Sequence, residues 1–259
     1  MHSIRTLLSR AVSATPLAYW PVTVRSGPAT GAKWTLAPFS HNWRSGGEKD
    51  TEVALAVLGE VRRAVCWDFG AHFGIHTVAM AMQIGPEGQV ASFEPDPVAF
   101  RRLSYHVRIN KLNNVRLHQA AVSNRTGTSS LINSHGLGSA CSHFQYEDEQ
   151  VSQATRLVSV RTVVMDELVS SGQVRLPDLI KIDVQGHGAK ALQGAMQSVA
   201  AKLPIIVFSN HSQWELEGMR ALLEPLGYVA MSFAGAPIGW DGLNFESAVC
   251  VPSARQRGS

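Results

Sequence analysis

The stretch from Asp68 to Thr77 reads Asp-Phe-Gly-Ala-His-Phe-Gly-Ile-His-Thr. An apolar run, Ala64–Phe69, carries Asp68 near its end. A short loop with Gly70 and Gly74 then enters the apolar, helix-compatible segment Ile75–Gln83. That order is a strand, a tight turn and a helix N-terminus. A second apolar strand, Gln89–Phe93, runs into Glu94 and Pro95. An acidic residue at the tip of such a strand can accept two hydrogen bonds from a ribose diol. The two carboxylates together point to a nucleoside-bearing cofactor, and the glycine spacing narrows its kind. A dinucleotide loop needs G-x-G-x-x-G, so that a pyrophosphate can approach the backbone, and that spacing is missing. The phosphate loop G-x-x-x-x-G-K-[ST] is missing too. S-adenosylmethionine has no phosphate and tolerates a looser loop. Its carboxylate can meet backbone N–H groups near Gly70–Gly74 and the helix N-terminus, its ribose can meet Glu94, and Asp68 can accept from its amino group or a bridging water. The plainer reading is a glycine turn that only packs the helix on the sheet.

These residues need a scaffold that brings strand ends together. From Ala64 onward strand and helix patterns alternate. Strands are expected at Ala64–Phe69, Gln89–Phe93, Val115–Ala120, Leu179–Val184, Ile205–Ser209, Tyr228–Phe233 and Glu246–Val251. Helices are expected at Ile75–Gln83, Pro97–Asn110, Gly188–Ala200 and Gln213–Leu226. Several strands are apolar on both faces, as buried parallel strands are. The alternation predicts an α/β domain, an open sheet with helices on both sides, whose ligands sit beyond the carboxyl ends of the strands.

Residues 1–47 form an N-terminal accessory segment ahead of a main domain over 48–259. Gly31–Leu36 and Pro21–Arg25 suggest a hairpin, and Asp50 can cap a helix from Thr51 to Val61. Before Glu48 there is no acidic residue, whereas Arg5, Arg10, Arg25, Lys33 and Arg44 are present. Ile4, Leu7, Leu8 and Ala11 share one helical face, which suits a capping helix, a targeting peptide or contact with a membrane surface. The tract 126–162 is polar, rich in Ser and Gly, and breaks the rhythm. Two short strands fit it, Ser129–Asn133 and Leu157–Thr162. As an insertion before the fourth core strand it either shapes a substrate pocket or is a solvated loop.

Composition excludes more than it identifies. Hydrophobic residues make up 45% and charged residues 17%, ordinary values for a globular chain. No apolar run approaches the roughly 20 residues of a membrane span. A formal charge of +3 gives no warrant for nucleic acid as a partner. Cys66, Cys141 and Cys250 form no CxxC pair and read as free thiols of a reducing cytoplasm.

Several ordered motifs resemble those of the FkbM-type, S-adenosylmethionine-dependent methyltransferases. That family typically carries D-x-G-A-N-x-G-x-x-T, then F-E-P, then D-V-E-G-x-E after a lysine. Here the counterparts are Asp68–Thr77, Phe93-Glu-Pro95 and Lys181-Ile-Asp-Val-Gln-Gly-His187. Asn110–Val115, Ala120–Ser123 and Val164–Leu168 add to the likeness, which runs from Trp43 to Val207. The resemblance implies a class I methyltransferase fold, Rossmann-like and doubly wound, with seven strands and the last antiparallel. It implies cofactor contacts at Asp68, Gly70, His72, Gly74, Thr77 and Glu94, with Pro95 beside them. Glu48 resembles a glutamate that helps close the cofactor site. Asp183 would face the reacting methyl region. Three departures stand out: His72 replaces an asparagine, Gln185 a glutamate, and Gly188 a second glutamate.

Methyl transfer from a sulfonium is an in-line displacement, so the protein mainly aligns the acceptor. A hydroxyl acceptor also needs a base. Asp183, His187 and His211 are the candidates, each with a plain alternative as a turn or cap residue. His72 and His76 are four apart, but no glutamate follows His72 as H-E-x-x-H requires, so no metal is expected. Trp214 and Trp240 either line an acceptor pocket or pack. The reading is an O-methyltransferase using S-adenosylmethionine on a small-molecule, sugar or polyketide-like acceptor. Gln185 and Gly188 motivate the alternative, a non-catalytic cofactor-binding or scaffold protein on the same fold.

Overall fold

The structure, a computed structural model, describes residues 20–35, 49–59, 61–133, 143–144, 156–231, 236–241, 243 and 247–253. Its elements in chain order are β1 (Pro21–Thr23), β2 (Lys33–Thr35), α1 (Lys49–Leu58), β3 (Val65–Phe69), α2 (Ile75–Ile84), β4 (Gln89–Phe93), α3 (Pro97–Ile109) and β5 (Val115–His118). There follow β6 (Ala121–Val122), β7 (Gly127–Asn133), β8 (His143–Phe144), β9 (Arg156–Val163), α4 (Met165–Ser170) and β10 (Leu179–Ile182). The chain closes with α5 (Gly188–Gln193), α6 (Met196–Lys202), β11 (Ile205–Ser209), α7 (Gln213–Leu223), β12 (Tyr228–Met231) and β13 (Ser247–Pro252).

The main sheet has seven strands in the order β12-β13-β11-β10-β3-β4-β5. β13 runs antiparallel to both β11 and β12, while β3, β4, β5, β10 and β11 pair in parallel. This is the expected doubly wound sheet with its last strand reversed. From β3 the chain winds outward through β4 to β5, then restarts at β10 on the other side of β3. The switch point therefore lies between β3 and β10, whose tips carry Asp68 and Asp183.

Side-chain alternation along the strands decides which helix each residue meets. Trp67, Phe69, Ile180 and Ile182 pack with Ala191 and Leu192 of α5, Val199 of α6 and Met219 of α7. Cys66, Leu179 and Val207 face the other way, against Ala54 and Leu55 of α1 and Met80 and Ile84 of α2. The Cys66 and Cys250 thiols are fully buried and free, and burial pushes both well above the ordinary thiol range.

The expected hairpin forms between β1 and β2. It docks on the main domain through Trp34, which is buried and stacks on His106 of α3 at 3.7 Å. The tract over 126–162 carries β7, β8 and nearly all of β9, three strands of a second sheet ordered β6-β9-β7-β8. Two expected helices end differently. The predicted helix over Gly188–Ala200 breaks at Gly194, where a β-carbon would overlap the carbonyl of Ser123. Asp166 restarts it as α6 by accepting from Gln197 and Ser198 N–H. Likewise α1 begins at Lys49, so Asp50 lies inside it, and it stops at Leu58 because Gly59 takes a left-handed φ of 73°.

Candidate active site

The β3–α2 loop is held against β4. Gly70 and Ala71 N–H both donate to the Phe93 carbonyl at 3.0 Å. Gly70, His72 and Gly74 have φ of 79°, 50° and 90°. His72 thus sits in the left-handed region, where histidine, like asparagine, is among the better-tolerated side chains. Its ring stacks on Phe73 at 3.8 Å. Its N–H donates to Glu94 Oε2 at 2.7 Å, and Asp96 N–H donates to Oε1 at 2.8 Å. Glu94 is buried, and that burial pushes its carboxyl up to about 8 despite the two backbone donors. Pro95 leads into Asp96, which caps α3 by accepting from Val98 and Ala99 N–H at 2.8 and 2.9 Å.

Asp68 is buried on the α2 side of β3. Its Oδ2 accepts from the Thr77 hydroxyl at 2.5 Å, and Thr77 Oγ1 lies 2.8 Å from Ser92 Oγ. Two of the expected cofactor residues, Asp68 and Thr77, are therefore joined to each other and stitch strand to helix. Glu94 stands on the same rim of the sheet, one strand away.

At the tip of β10, Asp183 N–H donates to the Phe69 carbonyl at 2.9 Å, tying the tips of β3 and β10 together. Asp183 Oδ1 accepts from His211 Nε2 at 2.9 Å. Lys181 Nζ is 3.8 Å from Oδ2 and donates to Ser209 Oγ at 2.8 Å. Burial alone would raise the Asp183 carboxyl. The His211 hydrogen bond and the Lys181 charge outweigh it and hold the group well below the usual carboxylate range. The same hydrogen bond raises His211 above the ordinary histidine value. Gln185, at φ 50°, reaches the pair only loosely, with Nε2 at 3.5 Å from Oδ1.

The other expected residues fall elsewhere. His187 is buried at the start of α5 with Nε2 3.1 Å from Ser123 Oγ, and burial, then Lys190, lowers it to about 4. Its ring therefore engages Ser123, the residue that follows β6. Glu48 lies outside the described residues. Trp214 is half-exposed and Trp240 buried. Among the described residues no His, Cys, Asp or Glu group is arranged to hold a metal ion.

Three side chains take roles at the site that the sequence reading did not give them. Lys181 is a lysine inside the apolar run Leu-Ile-Lys-Ile, buried at 2% exposure, and a lysine in such a run is seldom buried without a carboxylate partner, which was a readable signal. His76, on α2, meets the hydroxyl of Thr51 on α1 and contributes to the electrostatics of Asp183. Glu215 accepts from the N–H groups of both Gly188 and His211. Its signal was the capping-box spacing Ser212-Gln-Trp-Glu215.

A seven-stranded sheet in this order, with glycine loop, strand-tip glutamate and switch-point aspartate on one rim, defines a class I methyltransferase fold. Residues 68–230 match the Methyltransferase FkbM domain, and the chain belongs to that family. It is similar to the hexuronic acid methyltransferase AglP of Haloferax volcanii, 29% identical over 181 residues that cover 65% of this chain and 67% of that protein. It is also similar to the 2-O-methyltransferase NoeI of Sinorhizobium fredii, 28% identical over 159 residues, covering 56% of this chain and 64% of that one. The FkbM methyltransferase structure from Methylobacillus flagellatus aligns at 17% identity with a TM-score of 0.49, covering 73% of this chain and 43% of its own. The chain thus spans about two thirds of these two curated relatives and less than half of that solved one.

Proposed function

We propose that this chain transfers a methyl group from S-adenosylmethionine to a hydroxyl oxygen on a sugar or related small molecule. The observation that carries the reading is the Asp183–His211 pair, 2.9 Å apart at the switch point beside the Gly70–Gly74 loop.

The residues fit the cofactor. Each Glu94 oxygen accepts one backbone N–H and keeps a second lone pair for a ribose hydroxyl. Helix α2 starts at Gly74 with no side-chain cap, which leaves its end suited to a carboxylate. Gly70, His72, Gly74, Thr77 and Pro95 surround these two groups in the chain, and Asp68 holds the start of α2 through Thr77. When bound, S-adenosylmethionine supplies an already activated methyl group, so the chain's tasks are alignment and proton removal.

His211 performs the second task. Asp183 is held ionised and can only accept, so the proton of a neutral His211 sits on Nε2 and the lone pair on Nδ1. Nδ1 takes the acceptor's hydroxyl proton, and Asp183 steadies the imidazolium that results. A positioned base of this kind contributes roughly 10²–10⁴-fold. Lys181 keeps Asp183 charged. His187 is paired with Ser123, where its low affinity for protons suits a neutral hydrogen-bonding role. The names of the two curated relatives, one a hexuronic acid methyltransferase and the other a 2-O-methyltransferase, support a sugar hydroxyl as acceptor.

The test is calorimetry with S-adenosylmethionine, followed by turnover on hexuronic acid glycans and a panel of hydroxylated small molecules read by mass spectrometry. Binding and a methylated oxygen are expected. Absence of binding overturns the proposal. Binding without turnover on any acceptor favours the non-catalytic reading that Gln185 and Gly188 motivate.

A further inference from the structure

Gly188 opens α5 at the position where the family pattern has its second glutamate. A β-carbon there would stand 2.6 Å from Glu215 Oε1. The place is taken by a carboxylate that arrives from another element. Gly188 N–H donates to Oε1 of Glu215 at 2.8 Å, and His211 N–H donates to Oε2 at 2.9 Å. Glu215 is 1% exposed.

The local sequence explains how the side chain is free to do this. Ser212-Gln-Trp-Glu215 has the S-x-x-E spacing of a capping box. The first half forms: Ser212 Oγ accepts from Glu215 N–H at 3.2 Å. In the usual second half the glutamate returns to the N–H of the cap residue. Here that N–H points to Asn210 Oδ1 at 3.4 Å. The Glu215 carboxylate instead reaches one residue further back, to His211, and across to Gly188. It pins the backbone that carries the imidazole to the helix beginning five residues after Asp183.

We infer that Glu215 is a positioning residue which restores from α7 the carboxylate absent at Gly188 and holds His211 in register with Asp183. The inference rests on the reading of His211 as the base. It also predicts an electrostatic effect. His211 is faced by Asp183 and Lys181 from the β10 tip, by Gln185, which is neutral, and by Glu215 from α7, with His76 of α2 acting on Asp183. Burial raises the Glu215 carboxyl, its two N–H donors oppose that rise, and in its ionised form it adds negative charge that favours the protonated His211 ring.

Three variants test it: Glu215→Gln, Glu215→Ala, and Glu215→Ala combined with Gly188→Glu. Glu215→Gln is nearly isosteric and carries the test if the alanine variant folds poorly. It keeps one acceptor but loses the charge and one of the two N–H bonds. The expected result is a drop in kcat of about tenfold or more, with S-adenosylmethionine affinity within about twofold of the parent. The ascending limb of the pH–rate profile should move to lower pH. The double variant should regain most of the turnover lost in Glu215→Ala and return the limb towards its starting place. NMR titration of the His211 ring needs no turnover and should show the same downward move in Glu215→Gln. An unmoved His211 titration, or a double variant no better than Glu215→Ala, overturns the inference. Full activity in His211→Ala overturns the base assignment instead and leaves the titration result standing by itself.

Discussion

The carbonyl oxygen of Asp183 occupies the space in which a β-carbon on residue 70 would stand. Gly70 is thus the point where the β3 loop closes on the β10 tip, and its φ of 79° adds a second reason for glycine. Gly70→Ala is expected to lower stability by about 2–4 kcal/mol, through overlap plus left-handed strain. Gly172 has a similar φ of 73° and nothing within 4 Å, so Gly172→Ala should cost only about 1–2 kcal/mol. Urea denaturation of both variants checks the difference. Equal losses would mean that the close approach to Asp183 contributes nothing.

Asp183→Asn removes the main reason for the raised proton affinity of His211. The ring should then lose its proton at lower pH, so the ascending limb of the pH–rate profile moves in the acid direction. The orienting bond to Nε2 is weakened at the same time, and turnover should fall roughly 10²-fold or more. S-adenosylmethionine affinity should be unchanged. A parallel loss of binding and turnover in steady-state kinetics would count against a role at the reacting centre.

Glu94 titrates at about 8 in the folded chain, against an ordinary 4.5. Between those values the folded protein keeps a proton that the unfolded chain has released. Its contribution to stability is full below pH 4.5 and is lost as pH rises through 8. Melting curves from pH 5 to 9 should show a downward component that Glu94→Gln removes. Ribose hydroxyls donating to Glu94 favour its charged form, so cofactor binding near pH 7 should release a fraction of a proton, measurable by calorimetry in buffers of different ionisation enthalpy. Glu94→Ala should abolish measurable affinity.

His106 and His187 are buried and held neutral, each lowered by burial from 6.5 to about 4. His106 donates from Nδ1 to the Phe73 carbonyl at 2.7 Å, while Nε2 faces the Thr35 hydroxyl and N–H, so a second ring proton has no place. Their stabilisation is present above pH 6.5 and is lost as pH falls through 4. The loss should approach about 1.4 kcal/mol per pH unit for each histidine across that window. Denaturant midpoints at pH 7, 5.5 and 4.5 would show it. His106→Gln should flatten part of the slope at the cost of some stability at neutral pH.

Much of the fold was legible because its signals are local. The strands at Gln89–Phe93 and Ile205–Ser209 were readable to the residue, since β-rich apolar runs sit between turn residues there. The hairpin of β1 and β2 and the existence of β7 and β9 followed from similar patterns, while the pairing of β7 with β9 is seen only in the structure. The break between α5 and α6 was not legible. Gly194 is compatible with a helix, and only the nearby Ser123 carbonyl and the Asp166 cap divide it.

In the same way, residue types and spacing pointed to a nucleoside-bearing cofactor, through a glycine loop between two strand tips bearing acids, and the ordered motifs pointed to the family. These depend on a few neighbours in the chain. Which histidine meets Asp183 was beyond them, because His187 is only four residues away and His211 is 28. The order of strands in the sheet places β11 beside β10, and hydrogen bonds from Glu215 aim the loop that follows. Distance along the chain says little about distance in space once a parallel sheet has closed, so the partner of Asp183 was decided by tertiary packing alone.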